Sequence, residues 1–491
     1  MIALMPLPGF EVCLDRQLIR EVSLVKKQVI GVLFGNRGFF PDHLCAGGKA
    51  AFLAALGEFP VEVVTLSEAD SASGGVETTD DARRAAALLV ARASEIEGLV
   101  VSLPNFGDEK SLAQAIRMSG LRVPILVHAF PDDPALMDVA HRRDSFCGKI
   151  SVCNNLRQLG LPFSLTAEHT LAPGTEAFRR EMEDFLAVCR VVRGLRNLRI
   201  GVAGTRPADF NTMRYSEKIL ERCGISVEPL DLSEVLGRAA RLSGADPRVG
   251  EWAGRLSAFG SKDVPREALT RLAALGVVLN EWIAGKDLQA TAVQCWSSLQ
   301  ENYGVVPCAL MGLLSAAGLP AACEADVAGA VAMAALRLAT GAPSGLVDWN
   351  NNYGGEPDHA VVFHCSNLPP AFLEEPRLGY NAIIAGTVGR DNAWGTLTGA
   401  MKPGPVTYAR VSTDDVTGSV KAYVGEGEVV PKGLATFGGY GVLRVGRLND
   451  LMRYVCREGF EHHVALGYGR VARVLQEAFE TYLGWRCHVH I

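Results

Sequence analysis

Five residues between positions 324 and 463 are of the types that hold a metal ion or move a proton, and their surroundings make a purely structural role costly. Glu324 lies in LPAACEADVAGAV, where a buried carboxylate is strongly disfavoured unless it is paired or metal-bound. Asp348 follows 24 residues on (348 − 324) in SGLVDWNNN, and the apolar run before it places it at a strand terminus. His364 sits in VVFHCSNLP, and the pair His462–His463 opens EHHVALGYG. Two carboxylates and an imidazole are the ligand set of a hard or borderline divalent cation such as Mn²⁺. Each residue also has a plain structural reading. Glu324 or Asp326 would cap the helix that follows, Asp348 would start a turn with its asparagines, and His364 would be a bonded sheet histidine. From the residues alone both readings stay open.

Two glycine-bearing loops invite a nucleotide reading and fail it. GNRGFFP (35–41) has neither GxGxxG nor GxxxxGK[ST], and GVAGTR (201–206) puts Arg206 where the third glycine would stand. The first loop instead carries Asn36 and Arg37, whose donors suit hydroxyl or carboxylate groups, together with Phe39. None of the three has an obvious partner in the sequence. The alternative is a loop that merely tightens the first turn.

The elements that must position these residues alternate along the chain. VIGVLFG (28–34 with its neighbours), VEVVTL (61–66), GLVVSLPNFG (98–107) and VPILVHAF (123–130) read as strands, and CAGGKAAFLAALGEF, 80–93 and LAQAIRMSG as helices. Such alternation predicts a doubly wound parallel sheet with ligands at the carboxyl ends of its strands. The helical stretch 176–195 leads into a second start of the same kind at 198–235, continued by the helix 266–285. Alanine and glycine saturate 309–342, yet Leu, Met and Val recur at helical intervals, which predicts closely packed helices. After 345 come short β-like pieces, HAVVFHCS, NAIIAGTV, GPVTYARVS, VKAYVGEGEVV and GYGVLRVG, closed by a helix over 470–483 and the strand WRCHVHI. The fold class expected is α/β, two doubly wound parallel-sheet domains followed by a C-terminal antiparallel β-barrel-like domain, divided at 1–170, 171–345 and 346–491.

Composition narrows the function classes. The 491 residues, 48% hydrophobic and 21% charged, have the apolar material for about three folded domains and exclude disorder. A net charge of −6 without a basic block argues against a nucleic-acid partner. Twelve scattered cysteines without a CxxC pair argue against a disulfide framework or a structural zinc site, and for a reducing cytoplasm. Asp15, Arg16 and Arg20 interrupt the first thirty residues, and no run reaches about 18 apolar residues, so neither a secretory leader nor a membrane span is expected.

The chain resembles the L-fucose isomerase and L-arabinose isomerase superfamily, in particular its fucose-isomerase-like branch. The resemblance runs over most of the chain: GNRGFFP, IGVAGTRPADFNTMRYSE, the block VQCWSSLQENYGVVPCALMGLLSAAGLPAACEAD, DWNNNY, FHCSNLP, KPGPVTYARVSTDD and EHHVALGYG. It implies a divalent cation, typically Mn²⁺, held by Glu324 from CEAD, Asp348 from LVDWN and His463 from EHHVA. His364 stands where arabinose-type members have a fourth ligand. It also implies a trimer or hexamer in which Arg37 reaches a neighbour's sugar site from the N-terminal domain, with Asn36 beside it.

The reaction so implied interconverts an aldose and a ketose by moving a proton between C1 and C2, with Glu324 and Asp348 alternating as base and acid and the cation stabilising the enediolate. Trp296, Gln300, Asn302, Trp349, Asn351 and Asn367 are candidate contacts for hydroxyl groups and ring faces, each with an alternative in packing or turn chemistry. The competing functions are a non-catalytic sugar-binding or regulatory protein on the same fold, and a metal-dependent isomerase or epimerase of a modified or acidic sugar.

Overall fold

The computed structural model describes residues 27–71 and 73–491. Three sheets follow one another along the chain. The first has five parallel strands, β1 (Gln28–Phe34), β2 (Val61–Val64), β3 (Ile96–Leu103), β4 (Ile125–Ala129) and β5 (Ser164–Leu165), in the order β2-β1-β3-β4-β5. Reversal of strand order at β1/β3 marks a doubly wound sheet, and the alternation of its side chains shows both faces covered. Ile30, Val32 and Phe34 join one core with Phe52, Phe178 and Phe185, whereas Val29 and Leu33 join another with Leu89 and Leu112.

The second sheet is parallel and four-stranded: β6 (Arg199–Ala203), β7 (Ser226–Leu230), β8 (Ala290–Val293) and β9 (Ala321–Cys323), in the order β7-β6-β8-β9. The alanine-rich stretch forms the helices Cys308–Ala316, just before β9, and Val327–Thr340, just after it. Small residues let Val327–Thr340 pack at once against the helix Glu176–Leu195 and against the barrel strands that come later.

Nine strands make the third sheet: β10 (Ser344–Asn352), β11 (His359–His364), β12 (Arg377–Tyr380), β13 (Trp394–Ala400), β14 (Gly404–Asp414), β15 (Ser419–Val430), β16 (Gly439–Arg444), β17 (His463–Tyr468) and β18 (Arg486–His490). Pairing of β15 with β16 closes six of them, β16-β11-β10-β17-β14-β15, into an antiparallel barrel. Period-two alternation splits the barrel wall between two cores, with Val347, Tyr408, Tyr423 and Val464 in one and Leu346, Ala409, Ala422 and Ala465 in the other. The expected fold class is thus the one observed.

Two local expectations are corrected. NAIIAGTV is not a strand but the helix Ala382–Val388, because the Asn381 side chain accepts from the backbone N–H groups of Ile383 and Ile384 and caps it. Asp348 does not end a strand: β10 runs on through Asn352, and Asp348 pairs with His463 on one side and Phe363 on the other.

Candidate active site

The second sheet and the barrel meet where the chemistry-bearing residues gather. Glu324 follows β9 at the carboxyl end of the parallel sheet, where ligand-binding loops of such sheets lie. Glu324 and Ala325 both take left-handed backbone, φ 59° and 54°, a turn that costs non-glycine residues about 1–3 kcal/mol each and is tolerated mainly at functional sites. The turn is pinned by Ala325 N–H donating to Val293 O (3.1 Å) and Asp326 N–H donating to Cys323 O (3.1 Å). From the barrel come Asp348 on β10, His364 at the end of β11, and His462–His463 at the start of β17.

His463 is the hub. Its Nε2 lies 2.8 Å from Glu324 Oε2 and 3.3 Å from Asp348 Oδ1, and its Nδ1 is 2.9 Å from Asp326 Oδ2. The contact with Glu324 is an ion pair, and Nε2 has no hydrogen-bond partner among the described residues. Nor do the buried Asp348 Oδ1 and His364 Nε2. A histidine that gives its Nδ1–H to a carboxylate presents the Nε2 lone pair. One donor atom from each of Glu324, His364 and His463 lies within 4.8 Å of the others, and so does one from each of Asp348, His462 and His463. Buried donors left without partners around carboxylate oxygens fit a divalent cation with ligands at roughly 2.0–2.2 Å.

Asp326 supports the hub from behind. Its Oδ2 also accepts from Arg410 Nη1 (2.5 Å), and its Oδ1 from Arg410 Nη2 (3.1 Å) and the Gly329 N–H (2.8 Å). Arg410, fully buried, also donates from Nε to Glu461 Oε2 (3.0 Å), and Ser412 Oγ donates to Glu461 Oε1 (2.8 Å). Buried charges persist only when bonded this completely. Gly329 is obligatory here, since a Cβ would stand 2.3 Å from Asp326 Oδ2.

Electrostatics follow from the packing. Burial alone would raise the Glu324 pKa, but His463, His364 and the Trp296 N–H hold it down to about 2. Asp326 is likewise held well below the carboxylate range despite burial, by Arg410 and His463. Burial would lower the His463 pKa, yet the hydrogen bond to Asp326 and the nearness of Glu324 and Asp348 raise it to about 10. Without a cation these carboxylates favour a protonated His463, and a cation would bind the neutral ring by displacing its Nε2 proton.

Of the other sequence candidates, Trp296 is beside the cluster: its Nε1 donates to Glu324 Oε1 (2.8 Å), and its ring meets Phe210 edge-on. Phe210, on the loop after β6, also faces His462 and His463, a position the sequence did not reveal. Asn367 is buried with Oδ1 unpartnered among the described residues and Nδ2 3.4 Å from Ala321 O. Gln300 is spent bracing its own loop through Cys295 O and Val305 O. Trp349 donates to Tyr423 and packs edge-on against Tyr408. Asn302 bonds Ser298, and Asn351 its neighbour Asn350.

The first loop has the intramolecular partners that its sequence did not reveal. Asn36 is fully buried, donating to Asp42 and Glu77 and accepting from Asn105. Arg37 pairs with Glu109, donates to Gly107 O and lies over the Phe106 ring. Phe39 at the tip is 86% exposed.

Comparison with known proteins identifies the chain's relatives. Residues 31–196 match the family model "Fucose/sulfoquinovose isomerase, N-terminal domain", and residues 362–490 match "L-fucose isomerase, C-terminal domain". Glu324 and Asp348 lie between the two matched stretches. Similar curated proteins include a sulfoquinovose isomerase of Priestia megaterium, 25% identical over 343 residues (68% of this chain, 74% of that protein). Another, from Alkalicoccus urumqiensis, is 25% identical over 353 residues, with the same coverage of both chains.

Proposed function

The chain belongs to the fucose-isomerase-like family of aldose–ketose isomerases, and from that premise we propose that its substrate is an acidic aldose of the sulfonated-hexose class, isomerised at the cluster of Glu324, Asp348, His364 and His463. The sulfonated class is suggested by the sulfoquinovose isomerases to which the chain is similar. A divalent cation, most suitably Mn²⁺, would be held by Glu324, Asp348 and His463 with His364 beside them, and would supply Lewis-acid polarisation of the sugar's carbonyl.

The chain's own residues do the rest. Isomerisation takes the proton from the carbon next to the carbonyl and returns one to the former carbonyl carbon, while a hydroxyl proton crosses between the two oxygens. Glu324 and Asp348 approach from different elements, the parallel-sheet end and the barrel wall, so one can take the carbon-bound proton and the other return it. Glu324 is ionised and so able to take a proton, and Trp296 fixes its orientation. Phe210 and Trp296 would exclude water from one side of the sugar.

The observation that carries this reading is that three buried atoms without hydrogen-bond partners among the described residues, Asp348 Oδ1, His364 Nε2 and His463 Nε2, belong to two ligand clusters that share His463, one with Glu324 and His364 and the other with Asp348 and His462. We further read the chain as three domains, 1–170, 171–345 and 346–491, working in the cytoplasm. Among the described residues no helix is long and apolar enough to cross a membrane. The exposed Phe39 supports a trimer or hexamer in which the tip of this loop lies on a neighbour's site, braced from within its own domain by the buried Asn36 and the paired Arg37.

The test is a substrate screen with Mn²⁺ over neutral aldoses, uronates and sulfonated hexoses. The proposal expects the highest kcat/KM on a sulfonated aldose. Equal or better turnover of neutral L-fucose or L-arabinose would refute the acidic-sugar assignment.

A further inference from the structure

Behind the carboxylate–histidine cluster lies a second convergence of donor atoms. Cys308, Cys323 and Cys365 bring their sulfurs within 4.8 Å of one another, Cys308 and Cys365 standing 4.0 Å apart. Cys295, buried just past the end of the neighbouring strand β8, lies outside this group. The three grouped cysteines come from separate elements: Cys308 opens a helix, Cys323 ends β9 and Cys365 follows β11. Cys295, Cys308 and Cys323 are buried, and Cys365 is partly so. The sequence spacing argued against a zinc site because no two of these cysteines form a CxxC pair; it is the folding of the second sheet onto the barrel that unites them.

We propose that Cys308, Cys323 and Cys365 bind a soft d¹⁰ cation of the Zn²⁺ class through three thiolates, forming a structural centre separate from the oxygen–nitrogen site. Sulfurs about 2.3 Å from a tetrahedral zinc ion stand about 3.8 Å from one another, close to the 4.0 Å between Cys308 and Cys365. Thiolate donors select soft cations, whereas the neighbouring carboxylates and imidazoles suit harder ones, so the two sites sort metals by chemistry. Cys308 lies in the first turn of the helix Cys308–Ala316, where the helix dipole favours a thiolate. Binding releases the ligand thiols' protons to solvent and involves no electron transfer. The placement gives the centre a purpose: Cys323 precedes Glu324 and Cys365 follows His364 in the chain, so a cation here would clamp the backbone that aims both residues. Cys45 and Cys189, by contrast, are buried singly as small apolar groups in another core.

Cobalt distinguishes the two sites, because only sulfur ligands give an intense near-ultraviolet sulfur-to-cobalt charge-transfer absorption. Reduced, chelator-treated full-length protein is saturated with Mn²⁺ and then titrated with Co²⁺. The proposal expects that absorption to saturate at one Co²⁺ per chain and to be displaced by Zn²⁺. It also expects the absorption to be lost in Cys308→Ser and Cys323→Ser while Mn²⁺ binding persists. No charge-transfer absorption in the wild-type protein would overturn the proposal, whatever the variants do, and so would a Cys308–Cys365 disulfide in the protein as isolated.

Discussion

Asp326 and His463 lie 137 residues apart in the chain and are joined by a 2.9 Å contact between Oδ2 and Nδ1 in a buried setting. Asp326 spends its remaining acceptor capacity on Arg410 and on the Gly329 N–H. The imidazole is thereby held with Nε2 aimed at Glu324 and Asp348. Partners of this kind typically contribute 10–100-fold to metal affinity. Asp326→Asn is accordingly expected to weaken Mn²⁺ binding roughly 10–100-fold while leaving kcat at saturating metal much less affected. Isothermal titration of the metal-free variant checks it, and an unchanged Kd would show that Asp326 merely caps its helix.

Glu324→Gln keeps the size of the side chain and removes its ability to take a proton. The fold should survive, with far-ultraviolet circular dichroism unchanged. The kcat should fall by roughly 10²–10⁴, the contribution typical of a general base or acid, and the variant should no longer exchange the substrate's C2 hydrogen with solvent. Retained exchange would move the base to another residue.

The pH dependence of metal-free protein follows from His463 and Glu324. His463 is raised from 6.5 to about 10, so its contribution is fully present below about pH 6.5 and is lost as pH rises through about 10. Glu324 is lowered from 4.5 to about 2, so its contribution is present above about pH 4.5 and is lost as pH falls through about 2. Thermal denaturation of metal-free protein should show Tm declining between pH 7 and 10, and His463→Gln should flatten that decline. Because a metal ligand must be deprotonated, Mn²⁺ affinity should rise with pH, up to about tenfold per unit while one proton is displaced. Affinity independent of pH between 6 and 9 would contradict the place given to His463.

Gly329→Ala inserts a methyl 2.3 Å from Asp326 Oδ2 and 3.1 Å from Arg410 Nη1. Neither neighbour can retreat through a filled core, so a loss of about 1–3 kcal/mol in unfolding free energy is expected, together with weaker Mn²⁺ binding. Denaturant unfolding and metal titration of the same variant test both, and wild-type behaviour in both would show that the Asp326–Arg410 pair has room to shift.

What the sequence discloses and what it hides divide along physical lines. Glu324 stands out because a carboxylate amid apolar residues is costly and needs a reason, whereas His463 is singled out from His462 only by the family resemblance. The doubly wound sheet and most barrel strands are legible because hydrophobic periodicity survives locally. Asp326 reads as a helix cap, and it is one; its second duty toward His463 exists only after β17 arrives beside it. Arg410 looks like the solvent side of an alternating strand until Asp326 and Glu461 close over it from distant segments. The helix Ala382–Val388 is misread because its isoleucines suggest a strand while a single asparagine cap decides the matter. Asn36 and Arg37 look unpartnered because Glu77, Asn105 and Glu109 come to them only through the parallel crossover connections.

The most direct test of the proposed chemistry is turnover of sulfoquinovose to its ketose by chelator-treated protein as Mn²⁺ is added back, with Glu324→Gln as the control. The arrangement of Glu324, Asp348 and His463 predicts negligible conversion without metal, recovery that saturates as that site fills, and a rate roughly 10²–10⁴-fold lower in the variant. Full conversion by metal-free protein, or by Glu324→Gln at the wild-type rate, would contradict it.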